Sequence, residues 1–213
     1  MADDDRRSRK RKYIPTEFRY ERIVLNRLQK ANQVKIPMNK TASNLGFKLM
    51  ALTFKFRDLL RPRINILKEA GIKPGYHVLD YGCGSGSFVI DTARLVGESG
   101  MVYALDIHPL AIQMVRNLAS KKKLMNVRTI HSDCRTGLPD KSLDVVLLYD
   151  AFHDFGRPDD VLKEIHRVLR PEGILSFSDH HLKEEEIVSK VTKNGSFRLL
   201  RKGERTYSFL KEE

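Results

Sequence analysis

The stretch that decides the fold is VLDYGCGSGSF, Val78 to Phe88. Its first residues predict a buried strand, its glycines predict a tight turn, and the residues that follow predict a helix with one apolar face. A strand that turns this sharply into a helix needs glycine, because the backbone takes unusual dihedral angles and approaches a ligand without an intervening Cβ atom. Free N–H groups at the helix start then lie at the carboxyl end of the strand, so the stretch predicts a site for a nucleotide-type ligand.

The spacing of the glycines narrows the class of ligand. Gly82, Gly84 and Gly86 form G-x-G-x-G, whereas a dinucleotide-binding loop is G-x-G-x-x-G and has its third glycine where this chain has Ser87. Asp80 stands two residues before the first glycine, at the end of the predicted strand. A carboxylate there repels a pyrophosphate and attracts a cation such as an amino group. The loop therefore favours a ligand with a cationic part.

After residue 75, strand patterns and helix patterns alternate along the chain. The predicted strands cover 76–81, 101–106, 126–131, 143–149 and 174–179, followed by a strand pair at 196–200 and 206–210. The predicted helices cover 64–70, 87–96, 158–169 and 183–192, with one more that begins at Pro109. Arg170 to Gly173 are predicted to form a turn. Strands separated by helix-length segments indicate parallel βαβ units, so the sequence predicts an α/β, Rossmann-like doubly wound sheet with its ligand at the carboxyl ends of the strands.

The N-terminal part of the chain is strongly basic. The chain has 213 residues and a net charge of +12, and residues 1–63 carry +11 of it, from 17 Lys and Arg against 6 Asp and Glu. Helices are predicted at 16–33 and 44–60, and we divide the chain into a basic arm, partly disordered or helical, at 1–44 and the α/β domain at 45–213. An arm of this charge favours RNA, an anionic membrane surface or an acidic partner, and it is equally well explained as a solubilising tail.

Composition also disfavours several classes of protein. No apolar stretch approaches the roughly 20 residues that a membrane-spanning helix needs, and the charged N-terminus does not resemble a secretory signal. The two cysteines, Cys83 and Cys134, fall within motifs and do not form a disulfide framework, so we expect a reduced, cytoplasmic setting. No sequence feature activates either thiol, which disfavours a cysteine nucleophile. An arsenite-type mechanism would need several nucleophilic cysteines and is disfavoured because the chain has only two.

Carboxylates stand at the ends of three successive predicted strands: Asp80, Asp106 and Asp133. The carboxylate of Asp106 can accept two hydrogen bonds from the paired hydroxyls of a ribose. Asp133 can accept a hydrogen bond from an exocyclic adenine amine. Any one of the three can instead be a helix N-cap, but capping does not explain their joint occurrence with G-x-G-x-G.

From about Lys73 to Asp179 the chain resembles the class I S-adenosylmethionine-dependent methyltransferases, in the ubiquinone/menaquinone-biosynthesis-type (methyltransferase type 11) group. The matching stretches are VLDYGCGSGSF, VYALDIHPLAI, HSDCRTGLPDKSLDVVLLYDAFHDF and VLKEIHRVLRPEGILSFSD. The resemblance implies a seven-stranded sheet, mostly parallel with an antiparallel C-terminal strand. Because the short C-terminal part leaves little room for a substrate cap, we expect the N-terminal helical extension to cover the substrate. It does not extend to residues 1–44, and Glu172 stands in a turn where the family often has glycine.

The resemblance also implies which residues hold S-adenosylmethionine, whose product is S-adenosylhomocysteine. The methionine part is expected at the end of the first predicted strand and in the glycine turn, namely at Asp80, Tyr81, Gly82, Cys83, Gly84, Ser85 and Gly86. The ribose is expected at Asp106 and the adenine at Asp133 and Cys134, and Ile107 is a further expected cofactor-binding residue. The sulfonium side is expected to be lined by Tyr149, Asp150 and Ala151.

A base is needed in methyl transfer only when the acceptor must lose a proton, because the reaction is an in-line displacement that depends largely on positioning. His153 is the candidate base, since it lies beside the expected methyl group and histidine titrates near neutral pH. The alternative is a structural histidine bonded to the backbone. His180 and His181 are second candidates. Adjacent residues of a strand point to opposite faces, so this pair is not expected to bind one metal ion, and no metal is expected.

Three hypotheses remain for the acceptor. The chain methylates a small, hydrophobic molecule, or it methylates RNA or protein guided by residues 1–63, or it is a non-catalytic module that binds the cofactor and partners. The stretch from Asp150 to His153 is not the N-P-P-Y-like tetrapeptide of families that methylate exocyclic nitrogens, which weighs against methylation of bases or glutamine. The broad apolar face of 44–60 fits a membrane surface, a hydrophobic substrate or packing on the sheet. The oligomeric state is not predicted.

Overall fold

The computed structural model of the chain describes residues 64–213. The basic arm, the helices predicted at 16–33 and 44–60, and the domain boundary predicted at residue 45 lie outside the described residues. The described elements are, in chain order, α1 (Ile64–Glu69), β1 (His77–Tyr81), α2 (Val89–Val96), β2 (Met101–Asp106), α3 (Pro109–Lys121), β3 (Val127–His131), β4 (Leu143–Tyr149), a 3₁₀ helix (Phe152–Asp154), α4 (Pro158–Val168), β5 (Leu169–Ser178), α5 (Glu184–Thr192), β6 (Phe197–Lys202) and β7 (Tyr207–Lys211). None of these helices is long and apolar enough to span a bilayer.

The seven strands of the described residues form one sheet in the order β3-β2-β1-β4-β5-β7-β6. The pairs β2–β3, β1–β2, β1–β4 and β4–β5 are parallel, whereas β7 is antiparallel to both of its neighbours, β5 and β6. This confirms the predicted α/β, Rossmann-like doubly wound sheet with an antiparallel C-terminal strand. The strand order reverses between β1 and β4, and the ligand crevice of such a sheet opens there, beyond the carboxyl ends of the strands.

Helices cover both faces of the sheet, which is why its central strands are apolar on both sides. Six of the seven residues of β4 are buried. Because side chains alternate along a strand, Val145 and Leu147 pack on the side of α1, α2 and α3, and Val146 and Leu148 pack on the side of α4 and α5. The two cores hold the strand ends in fixed positions, and the site is built on those ends.

The predicted boundaries of the described elements agree with the observed ones to within two residues, with one exception. The turn predicted at Arg170 to Gly173 is wrong, because β5 runs through these residues. Leu143 pairs with Leu169 and Val145 pairs with Ile174, so the four residues between the two partners bulge out of the ladder. The segment has the composition of a turn, and its proline cannot donate to the ladder. Pairing on either side of the bulge nevertheless keeps the strand continuous.

A buried carboxylate ties α4 to the segment before β4. Glu164 accepts hydrogen bonds from the N–H and the hydroxyl of Thr136, at 2.8 and 2.7 Å, and pairs with Arg167 at 2.7 Å. The hydrogen bond from Arg167 contributes most to lowering the pKa of Glu164 to about 2, with Thr136 assisting, and the two together outweigh the effect of burial.

Glu164→Gln is expected to lower the free energy of unfolding by about 2 kcal/mol at pH 7, because charge-assisted hydrogen bonds are lost. The pKa in the folded chain, about 2, lies below the ordinary value of 4.5, so the carboxylate stabilises the fold above pH 4.5 and this stabilisation is lost as the pH falls towards 2. The difference in stability between wild type and variant, measured by urea unfolding, should be at least halved at pH 3. Glu172→Gln, on the exposed bulge, is the matched control and should have little effect; a difference independent of pH would contradict this role of Glu164.

Candidate functional site

The turn between β1 and α2 is built from glycines held against neighbouring strands. The N–H of Gly82 donates to the carbonyl of Leu105 in β2 at 2.8 Å. Gly82, Gly84 and Gly86 have φ angles of +82°, +52° and +83°, which residues with a Cβ atom rarely adopt. A Cβ on Gly82 would lie 2.7 Å from the Cβ of Ala151, so close packing against the end of β4 also requires this glycine. A Cβ on Gly84 would meet nothing within 4 Å, so the middle of the turn borders open space.

Asp106, at the end of β2, connects the glycine turn to the start of α3. Its Oδ2 accepts the N–H of Gly84 and its Oδ1 accepts the N–H of His108, both at 2.8 Å. Burial raises the pKa of Asp106, and the two N–H donors act against this rise. Since a carboxylate has about four acceptor positions, each oxygen retains capacity for a further donor. The edge therefore presents a carboxylate suited to two adjacent hydroxyl groups.

The three predicted strand-end carboxylates lie along one edge of the sheet. Asp80 pairs in register with Ala104 of β2 and Leu147 of β4, so the ends of these strands are nearly level. Asp80 is buried, whereas Asp133, beyond β3, has an exposed carboxylate that pairs with Arg157 at 3.3 Å. The structure therefore brings the three carboxylates to a common edge of the sheet.

An apolar side chain adjoins this edge. Ile107 follows Asp106 and is 49% exposed, which is high for a large apolar residue. The ring of His131 is hydrogen-bonded to the carbonyl of Ile107 at 2.9 Å and fixes its backbone. In the glycine turn, the hydroxyl oxygens of Ser85 and Ser87 are 3.5 Å apart. An exposed apolar side chain beside an acceptor carboxylate is suited to a ligand with a flat ring and hydroxyl groups.

Other residues that the sequence assigned to ligand binding have side chains committed to the fold. The hydroxyl of Tyr81 donates to the carbonyl of Cys134 at 2.8 Å, and the hydroxyl of Tyr149 shares a hydrogen bond with that of Ser176 at 2.7 Å. Burial raises the pKa of both tyrosines and of Cys83. These side chains thus stabilise the edge of the sheet, and a ligand would contact Tyr81, Cys83 and Tyr149 through their backbone atoms.

A second group of titratable side chains lies beyond the ends of β4 and β5. Its members come from the segments that follow the two strands, and we call them the His–Asp cluster: Asp150, His153, Asp154, Asp179, His180 and His181. The N–H of Asp150 donates to the carbonyl of Ser178 at 2.8 Å, which holds the two segments together. Asp150 has a φ angle of +51°, so the chain turns sharply at the end of β4.

His153 is held between two carboxylates. Its Nδ1 lies 3.0 and 2.8 Å from the two carboxylate oxygens of Asp179, and its Nε2 lies 3.3 Å from Asp154. Burial on its own lowers the pKa of His153, but the interactions with Asp154 and Asp179 are stronger and raise it to about 9. The imidazole is therefore charged near neutral pH. A general base needs a neutral ring, so this geometry argues against the predicted base role.

The sequence did not anticipate how His180 and His181 are arranged. The prediction that they point to opposite faces of a strand is wrong, because β5 ends at Ser178 and both lie beyond it. Their ring centroids are 4.0 Å apart, and the ring of His181 is also 4.0 Å from that of His153. Asp179 was recognised only as a strand-end residue and Asp154 was given no role, since only the folded chain brings them to His153.

A glycine turn after β1, a carboxylate at the end of β2 and a sheet of this strand order define the class I methyltransferase fold. The chain belongs to the family whose model is described as a methyltransferase domain, which matches residues 72–212.

Relatives with curated names have quinone-related activities. A demethylmenaquinone methyltransferase of Geobacillus sp. (strain WCH70) is 31% identical over 125 residues, which are 58% of this chain and 53% of that protein. The ubiquinone/menaquinone biosynthesis C-methyltransferase UbiE of Pseudoalteromonas translucida (strain TAC 125) is 26% identical over 187 residues, 87% of this chain and 73% of that protein. The chain thus spans about half the length of the first relative and nearly three quarters of the second.

Solved structures agree with this class. A SAM-dependent methyltransferase from Aquifex aeolicus has a TM-score of 0.64 and 26% identity, covering 73% of this chain and 97% of that one. The [4+2]-cyclase SpnF has a TM-score of 0.58 at 16% identity, covering 87% of this chain and 72% of that one. At this identity the second likeness concerns the fold alone.

Gly82→Ala is expected to lower the free energy of unfolding by about 3 kcal/mol, because the new Cβ is strained at positive φ and overlaps Ala151. Gly84→Ala has the same backbone strain without an overlap and should cost about 1 kcal/mol. Urea unfolding of both variants makes the comparison. Combining Gly82→Ala with Ala151→Gly should recover part of the loss; equal costs at positions 82 and 84 would show that the contact with Ala151 does not matter.

His153 is expected to titrate near pH 9 in the folded chain, well above the ordinary value of 6.5. Because the folded pKa is raised, the stabilisation from its ion pairs is fully present below about pH 6.5 and is lost as the pH rises through 9. Proton NMR of the seven histidine rings measures this, with the His153 signal assigned as the one missing from His153→Gln. A titration between pH 6 and 7 would restore His153 as a candidate base.

Proposed function

We propose that the chain transfers the methyl group of S-adenosylmethionine to a small, hydrophobic acceptor of the quinone-precursor type. The observation that carries the proposal is the carboxylate of Asp106, fixed at the glycine turn by the N–H groups of Gly84 and His108. Family membership and the likeness to a SAM-dependent methyltransferase imply the cofactor, and the names of the relatives supply the class of acceptor.

The residues present suit this cofactor. Asp106 would accept the two ribose hydroxyls, and the exposed Ile107 would pack on the adenine, with Asp133 and Cys134 at its edge. The glycine turn, open beyond Gly84, leaves room for the methionine part. We propose that the methionine part contacts Asp80, Tyr81, Gly82, Cys83, Gly84, Ser85 and Gly86. Asp80 would offer its carboxylate to the ammonium group of the methionine part.

When bound, S-adenosylmethionine supplies a methyl group on a positively charged sulfur. The protein's part is to hold the acceptor in line and to exclude water. Tyr149, Asp150 and Ala151 remain the proposed wall beside the methyl group, since Ala151 packs against the glycine turn. We assign His153 as a positioning residue that orders Asp179 and the 3₁₀ helix through its hydrogen bonds.

Methyl-labelled S-adenosylmethionine, incubated with the full chain and a fractionated cell extract, tests the class of acceptor. Label is expected in the solvent-extractable fraction and, in a second reaction, in an added demethylmenaquinone that has been reduced to its quinol. Asp106→Ala is the control for enzyme-dependent transfer. Label that appears only in RNA or protein would make the basic residues 1–63 the recognition element and contradict the small-molecule acceptor.

Asp106→Ala is expected to weaken binding of S-adenosylhomocysteine by at least about 100-fold, because two hydrogen bonds to a charged acceptor are lost. Isothermal titration calorimetry measures the affinity, and circular dichroism checks that the variant is folded. Asp91→Ala removes an exposed carboxylate of α2 and is the matched control, which should bind like wild type. Unchanged affinity in Asp106→Ala would contradict the site assignment itself.

A further inference from the structure

Three members of the His–Asp cluster are arranged as ligands of one ion. Asp150, Asp179 and His180 each offer a ligand atom, and these atoms all lie within 4.8 Å of one another. Around an octahedral ion at about 2.1 Å, neighbouring ligand atoms are about 3 Å apart and opposite ones about 4.2 Å apart. The Nδ1 of His180 is already 2.7 Å from Oδ1 of Asp150. This pair is a hydrogen bond at close to the spacing of neighbouring ligands, and an ion would displace its proton, while the atom from Asp179 lies within 4.8 Å of both.

The three side chains differ in exposure in a way that suits an ion entering from one side. The side chain of Asp179 is fully buried, whereas those of Asp150 and His180 are 33% and 42% exposed. The buried carboxylate would form the floor of the site and the other two its rim. An ion held there by three protein ligands keeps positions open for water or for an oxygen of a substrate.

The carboxylate of Asp179 retains room for such an ion. It accepts three N–H groups, from the backbone of His153 and His181 and from the ring of His153. Because Nδ1 of His153 lies within 3.0 Å of both carboxylate oxygens, an ion that took one oxygen would leave the ring bonded to the other. The hydrogen bonds from His153 and His181 would keep this ligand oriented, which is the usual arrangement around a bound metal.

The charge of the cluster favours a cation. Three carboxylates contact two histidine rings: His153 lies between Asp154 and Asp179, and His180 pairs with Asp150. Carboxylates gathered at one place attract a cation and repel an anionic ligand.

We propose that Asp150, Asp179 and His180 bind a divalent cation of the Mn²⁺ type at the carboxyl ends of β4 and β5. Two carboxylates and one imidazole form a mixed oxygen and nitrogen set, which suits Mn²⁺ or Fe²⁺ better than Mg²⁺. Ala151, next to Asp150, packs against Gly82, so the ion would lie beside the glycine turn. Its open positions would hold an oxygen of the acceptor, a role that rests on the proposed function; binding of the ion does not.

Loss of the free-ion signal in electron paramagnetic resonance measures Mn²⁺ binding to the full chain. Wild type is expected to bind one ion per chain, and His180→Ala and Asp150→Asn should each weaken binding at least tenfold. Asparagine tolerates positive φ, so Asp150→Asn preserves the turn at this position. His181→Ala is the matched control: it removes the neighbouring imidazole and should leave Mn²⁺ affinity within about twofold of wild type.

Two outcomes would overturn the metal site. One is no loss of the Mn²⁺ signal in wild type at millimolar ion, and the other is binding that His180→Ala and Asp150→Asn leave unchanged. A third outcome is that wild type binds no Mn²⁺ but methylates an amine acceptor, and that Asp150→Asn abolishes this methylation. The cluster would then bind the ammonium group of a substrate instead of a metal ion. Because S-adenosylhomocysteine affinity is measured separately, failure of the metal site and failure of the proposed methyltransferase activity are distinguishable.

Discussion

The candidate site depends on one carboxylate more than on any other group. Asp106 accepts the N–H of Gly84 and the N–H of His108, so it fixes both the glycine turn after β1 and the start of α3. Both segments lie beyond the paired residues of the ladder; the N–H groups of Gly82 and Cys83 donate to the carbonyl of Leu105, and Asp106 is the side chain that joins the turn to α3. Without Asp106, two backbone donors would lose their partner at the place where a ligand must meet them. The residue that would bind the ribose is thus also the residue that shapes the site.

The fold was predictable because its signals are local. Alternation of strand and helix periods, with glycines at Gly82, Gly84 and Gly86, gave the parallel sheet and the ligand edge. The bulge in β5 was not predictable from the same signals, since Pro171 and Gly173 have the composition of a turn, and only pairing of Leu169 and Ile174 with β4 makes the strand continuous. Local composition indicates the conformation that a segment prefers, and long-range pairing determines the conformation that it adopts in the fold.

Side-chain chemistry was predictable only where the backbone determines it. The location of the Asp106 carboxylate at the ligand edge follows directly from its position at the end of a predicted strand. The state of His153 does not, because it depends on Asp179, 26 residues further along the chain, and on the buried contact between them. The adjacent His180 and His181 were misread for a related reason: alternation applies within a strand, and these residues lie beyond its end.

Two parts of the site meet where β1 lies beside β4. The ends of β1 and β2 carry the glycine turn and Asp106, while the ends of β4 and β5 carry the His–Asp cluster, and Gly82 touches Ala151 between them. Fold alone does not fix an activity. The glycine turn and Asp106 are suited to the cofactor, so they cannot by themselves select an acceptor. Within the described residues, the His–Asp cluster lies on the far side of the Gly82–Ala151 contact and is partly exposed, so we propose it as one group that contributes to this selection.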